Sequence, residues 1–179
     1  MLRAALVLSV IVFVVGCDRS KIDEAKWKEA GAEAVLPFKS SLKQALGAGL
    51  EKGPVEAISA CRIQAPRLAE AASTGGIKVG RASRKLRNPN NAPKPWMEPF
   101  LAVYETDPDR RERGVALIDE HTVGYVEPIF VQPMCVTCHG ADVAPDLRAK
   151  IEELYPDDQA TGYAAGDLRG IFWAELPRP

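Results

Sequence analysis

The chain holds only two histidines, His121 and His139, in 179 residues. That scarcity leaves no room for a His-rich metal cluster, and it leaves the serines without a free histidine partner for a nucleophilic triad. There is no glycine-rich phosphate loop, no paired-carboxylate motif of distinctive spacing, no internal repeat and no low-complexity tract. With no catalytic constellation, an enzyme is not expected. The formal net charge is only −1, which excludes the strong basic footprint of a nucleic-acid binder. No apolar run reaches the roughly 20 residues that span a bilayer.

The longest such run, Ala4 to Val15, follows the single basic residue Arg3 and fits the core of an export signal. It closes at Val14-Val15-Gly16-Cys17, which resembles a bacterial lipoprotein signal. The resemblance implies cleavage after residue 16 and lipid on Cys17. The alternative is an uncleaved anchor with an incidental cysteine. Asp18 resembles the inner-membrane retention signal of enteric lipoproteins, a rule that does not extend to all bacteria. The expected layout is a signal peptide at 1–16, a lipidated tether at 17–25 and one domain at 26–179 on the periplasmic side of a membrane. Removing Arg3 with the signal leaves 22 basic against 24 acidic side chains, a net of −2.

Cys135-Val136-Thr137-Cys138-His139 reads Cys-x-x-Cys-His, the attachment site of a c-type haem. Two thiols at this spacing add to the two vinyl groups of one porphyrin, and the adjoining His reaches the iron as an axial ligand. A thioredoxin-like pair would need a βαβ setting, which the flanking sequence lacks. A structural zinc site would need a second ligand pair, and only His121 and Cys61 remain, far apart in sequence. One covalent haem c is therefore expected. Export agrees with it, because this attachment normally occurs outside the cytoplasm.

Four cysteines then leave Cys61 unassigned. Ile58, Cys61, Ala65, Leu68 and Ala72 recur at helical spacing, so Cys61 lies on an apolar helix face. It reads either as a small buried thiol or as a thiolate on the far side of the haem. Pro66 crowds the carbonyl of Arg62 and should bend the helix just after Cys61.

Several segments are similar to a PAS-like c-type haem domain family of unknown function, found free-standing or fused to signalling proteins. They are Ala57 to Cys61 with Ala65-Pro66, Gly80 to Ser83, Arg87 to Pro93, Trp96 with Glu98, Pro128-Ile129, Cys135 to Gly140, Tyr155 to Asp158, and Gly162-Tyr163 through Gly170. The one departure is Met97 between Trp96 and Glu98, which the family often has adjacent. The resemblance implies a haem ligated by His139 and Cys61. His121, in a polar turn, Met97, beside a tryptophan, and Met134, on the attachment side, are the rival distal ligands. Arg81, Arg84 and Arg87 offer guanidinium forks for two propionates, with Arg81 and Arg87 at family positions; an ordinary basic surface is the alternative. Asn88 and Asn91 can order their loop. Trp96, Tyr155 and Tyr163 could line the haem or belong to the core. Asp157-Asp158 reads as a solvated helix end.

The spacing predicts helices over 21–50, interrupted at Pro37, around Cys61, over 96–105 and over 144–154. It predicts strands at 77–81, 114–118, 122–131 and 168–176, with an irregular loop at 87–95. Helices fall mainly in the first half and strands in the second, the pattern of an α+β fold with an antiparallel sheet. The resemblance adds a PAS-like form packed around the haem. His/Cys ligation implies a six-coordinate, low-spin iron of low potential, since Met ligation is what raises it. The expected role is electron transfer with a periplasmic partner, because no signalling output follows residue 179. The alternative is a redox or gas sensor in which nitric oxide or carbon monoxide displaces Cys61. A purely structural haem is a third option.

Overall fold

The computed structural model describes residues 22–107 and 109–179. The export signal, Cys17 and the start of the tether lie outside the described residues.

Helix α1 (Glu24–Leu50) begins where the Asp23 carboxylate accepts the Lys26 N–H at 3.1 Å, an N-cap that satisfies an otherwise orphaned donor. It runs unbroken through Pro37, where the sequence predicted a kink or split. Pro37 and Glu33, whose carbonyl loses its helical partner, both face outward, so water can take the freed acceptor. Helix α2 (Pro54–Ala72) likewise continues past Pro66, which is exposed together with Arg62. Helices α3 (Glu98–Thr106), α4 (Val136–His139) and α5 (Pro145–Leu154) follow.

Strands β1 (Lys78–Ala82), β2 (Gly114–Asp119), β3 (Thr122–Phe130) and β4 (Leu168–Pro177) form one antiparallel sheet in the order β1-β4-β3-β2. This is the α+β arrangement that the hydrophobic pattern predicts. Registry decides which side chains share a face. Val79, Ala174 and Tyr125 stand opposite one another, and so do Arg81, Phe172 and Glu127, two residues along. The Val79 row packs with Val35, Phe38 and Leu42 of α1 and Ala65 of α2. The opposite face places Ala82, Val126 and Ile171 against Met97, Leu101 and Tyr104. A third cluster joins Ile58 of α2 to Val143, Leu147 and Ile151 around α5.

Gly31 sets how closely α1 approaches the sheet. A Cβ there would lie 2.2 Å from Cγ of the buried Tyr125 ring. Gly31→Ala is therefore expected to destabilise the fold by about 1–3 kcal/mol, the range for overpacking a filled core. A lowered urea midpoint with unchanged slope is the outcome to look for. An unchanged midpoint would mean that the helix can lift away freely.

Candidate functional site

One cavity of about 310 Å³ lies at the end of the sheet on the α1/α2 face. Leu42, Leu46 and Leu50 of α1 form one wall, and Ala57, Ile58 and Cys61 of α2 form a second. Arg81, Ile129 and Phe172 supply the sheet wall, and Cys135, Cys138 and His139 close the fourth side. The four residues with the sharpest sequence signals thus meet at one cavity, although 74 positions separate Cys61 from Cys135.

The attachment segment is a single compact turn. A 3-10 turn at Pro133–Cys135 runs directly into α4, so Cys135, Cys138 and His139 share about one helical turn. Gly140 ends it, where a Cβ would meet the Val136 carbonyl at 2.6 Å. The His139 ring is fixed from behind: Nδ1 lies 2.7 Å from the Ala160 carbonyl. A carbonyl can only accept, so Nδ1 carries the hydrogen and Nε2 keeps its lone pair. A metal-bound histidine is typically oriented by such a bond. Tyr163 packs edge-on against the imidazole, with centroids 6.3 Å apart.

Burial, reinforced by the Arg87 and Arg169 charges, pushes the His139 pKa down to about 3. The imidazole is therefore neutral, as a ligand must be. Its unfolded counterpart takes up a proton near pH 6.5. Between these values the unfolded chain binds the extra proton, so stability rises with pH and falls as acid is added. For the chain without a ligand, His139 should contribute up to about 1.4 kcal/mol per pH unit over that window. Urea titrations from pH 6.5 downward should show a shallower loss in His139→Gln than in wild type. Equal slopes would contradict a buried neutral imidazole.

The lining has a one-sided charge. Lys39, Lys43, Arg81, Arg87 and Arg169 border the cavity, and among the described residues no Asp or Glu does. Burial holds the Arg81 and Arg169 guanidiniums below their usual pKa. Burial also pushes the Cys61 thiol up, with Arg81 and Arg87 opposing it. An apolar cavity edged by cations suits a flat, largely apolar ligand that carries carboxylates. A haem with two propionates is such a ligand, so the residues present fit it. Among the described residues, no three or more His, Cys, Asp or Glu side chains converge on a metal position.

Other sequence-predicted residues take different places. Arg87 is drawn inward. Its Nε and Nη2 donate to the Asp158 carboxylate at 3.1 and 2.9 Å, and the Asp158 side chain is only 7% exposed. Asp158 is thus a buried partner and not a solvated helix end. Among the described residues, Arg87 Nη1 is buried without a partner, an orphan donor that a ligand carboxylate would satisfy. Arg84 leaves the cavity lining for a surface pair with Glu98, at 3.0 Å from Nε, and with Glu105. Asn88 accepts the Asn90 N–H through its side chain, whereas Asn91, at the cavity edge, orders the loop through its backbone. Tyr155 lines the cavity. Tyr163 does not, and supports His139 from outside it. Trp96 sits in the core of the far face, bonded to Glu175 at 3.1 Å. Met97 is fully buried in that core, and His121 is exposed in the β2–β3 turn.

Sequence reasoning missed Arg169 as a lining residue. Its Nη1 donates to Ser83 Oγ at 2.8 Å. The available signal was Gly170, whose φ of +154° and close approach to the Ala82 carbonyl (2.3 Å from a built Cβ) admit only glycine. A strand glycine with that requirement marks a close approach of another backbone, here that of β1 beside Arg169.

A family model described as Tll0287-like matches residues 23–177. The chain belongs to the Tll0287-like family. Within the Tll0287-like fold, the crystal structure of the cyanobacterial heme-protein Tll0287 superposes with a TM-score of 0.64 at 28% identity. The match covers 82% of this chain and 94% of that one. No curated protein matches the chain. The Tll0287-like match includes Cys61, the Arg87 loop and the whole Cys135–His139 turn. Among the described residues, no helix is long and apolar enough to cross a membrane.

Proposed function

We propose that the cavity holds one haem c, bonded through Cys135 and Cys138 and ligated by His139 and Cys61. The observation that carries this reading is the meeting of both attachment thiols, Cys61 and a tautomer-fixed His139 at one cation-edged cavity. Kinship with a protein described as a heme-protein supports the choice of cofactor. When bound, haem supplies a one-electron ferric/ferrous couple.

The chain's own residues do the rest. His139, its ring held by Ala160, would bind the iron through Nε2. Cys61 would bind it from α2, and a thiolate there would favour the ferric state. Arg81, Arg169 and the free Nη1 of Arg87 are the partners for the propionates. The leucines of α1 keep water from the ring. With Cys61 and His139 both held to it, a haem here would have no open position for an external substrate, which argues against peroxidase or oxygenase chemistry. We place it on the periplasmic side of a bacterial membrane, tethered by lipid on Cys17. There it carries electrons to or from a periplasmic protein. The antiparallel sheet, with α1 and α2 on one face and α3 on the other, is read as PAS-like.

Sensing is the second reading, and one observation favours it. Pro66 lies inside α2 one turn beyond Cys61 and leaves the Arg62 carbonyl without a helical donor. The helix that carries the ligand thus has a weakened turn beside it. Reduction under carbon monoxide separates the two. A carrier keeps its low-spin spectrum and ignores the gas. A sensor loses the thiolate on reduction and binds carbon monoxide at the vacated position.

A further inference from the structure

The Ala160 carbonyl serves two donors at once. His139 Nδ1 lies at 2.7 Å and Arg87 Nη2 at 3.3 Å. Asp158 ties the group together. It accepts from Arg87 at Nε and Nη2, and its Oδ1 also accepts the Ala160 N–H at 3.0 Å. Arg87 Nη2 also donates to the Cys138 carbonyl at 2.7 Å, so its two hydrogens are shared among three acceptors, of which Ala160 is the most distant. One buried ion pair therefore holds the turn that bears His139 and the loop that orients it.

We infer that Arg87 is a positioning residue that weakens the donor strength of His139 through the shared Ala160 carbonyl, and so raises the reduction potential. The inference rests on the haem reading above. A carbonyl oxygen has two lone pairs. A cation bonded to one of them draws electron density from the oxygen and makes it a poorer acceptor for the Nδ1 hydrogen. The imidazole then holds that proton more tightly and pushes less charge onto a metal at Nε2. Outer bonds of this kind tune the basicity of a histidine ligand. The positive charge itself acts in the same sense, because it opposes the added charge of a ferric iron. Asp158 moderates both effects by neutralising part of that charge.

The two partners should then act in opposite directions. Arg87→Gln removes the cation and should lower the potential by at least a tenfold change in the oxidised-to-reduced ratio, about 59 mV for one electron. Asp158→Asn keeps the shape, frees the cation and should raise the potential. Arg87→Lys keeps the charge without the fork and should fall between wild type and Arg87→Gln. A purely structural tie predicts shifts of the same sign in Arg87→Gln and Asp158→Asn, or none, and either result overturns the inference.

Nitrogen-15 spectra of His139 in the haem-free chain give a second, independent readout. Arg87→Gln should move the Nδ1–H proton downfield as its bond to Ala160 strengthens. An unmoved signal in a folded Arg87→Gln chain overturns the inference. If wild type takes up no haem, the proposed function fails, while the His139 spectra still decide the role of Arg87.

Discussion

Replacing Cys135 and Cys138 together by alanine is expected to convert fully retained haem into haem that acidified acetone removes completely. Both thiols are half-buried at the cavity edge, Cys135 clear of the apolar clusters and Cys138 packed against the third. Alanine at either position removes a single partly exposed sulfur, and each change should cost about 1 kcal/mol of stability. The double variant should thus fold and bind haem reversibly through His139 and Cys61. Each single variant should keep one thioether, with a pyridine haemochrome band displaced toward that of a haem with one free vinyl. Covalent haem in the double variant would place the attachment elsewhere in the chain.

Replacing Cys61 by alanine is the other large change. Cys61 lines the cavity from α2, opposite the attachment turn in sequence and on a different element. Haem should remain attached, because the thioethers are elsewhere. The thiolate spectrum should vanish, and ferrous protein should bind carbon monoxide nearly to saturation. The potential should rise by more than a tenfold change in the redox ratio, about 59 mV, since a negatively charged ligand to the ferric iron is lost. Stability should change little, which separates loss of a ligand from loss of fold. A low-spin thiolate spectrum that survives in Cys61→Ala would exclude Cys61 as a ligand.

Most of the fold can be read from local pattern. The short apolar, aromatic-rich runs at Thr122–Phe130 and Leu168–Pro177, and the turn residues between Asp119 and Thr122, place strands to within about two residues. Proline was the main source of error. Pro37 is a helix breaker by local rules, but it faces solvent, where its lost bond matters little. The site divides in the same way. Cys135, Cys138 and His139 are legible because their chemistry demands a fixed spacing. Cys61 has only a helical face in its favour, shared by any buried thiol. The partners that orient His139 are not legible at all. Ala160 acts through its carbonyl, which every residue has. Asp158 follows a helix end and looks solvated until Arg87, 71 positions earlier, is folded over it. Arg169 reaches the cavity only because Gly170 lets β1 and β4 close up. Such pairings depend on registry between distant segments, which no local window contains.

The most direct measurement is the electron paramagnetic resonance spectrum of ferric protein matured with haem, wild type beside Cys61→Ala. His139 and Cys61 ligation predicts a low-spin thiolate signal in wild type and its loss in the variant. A high-spin wild-type signal, or identical spectra for the two proteins, would contradict it.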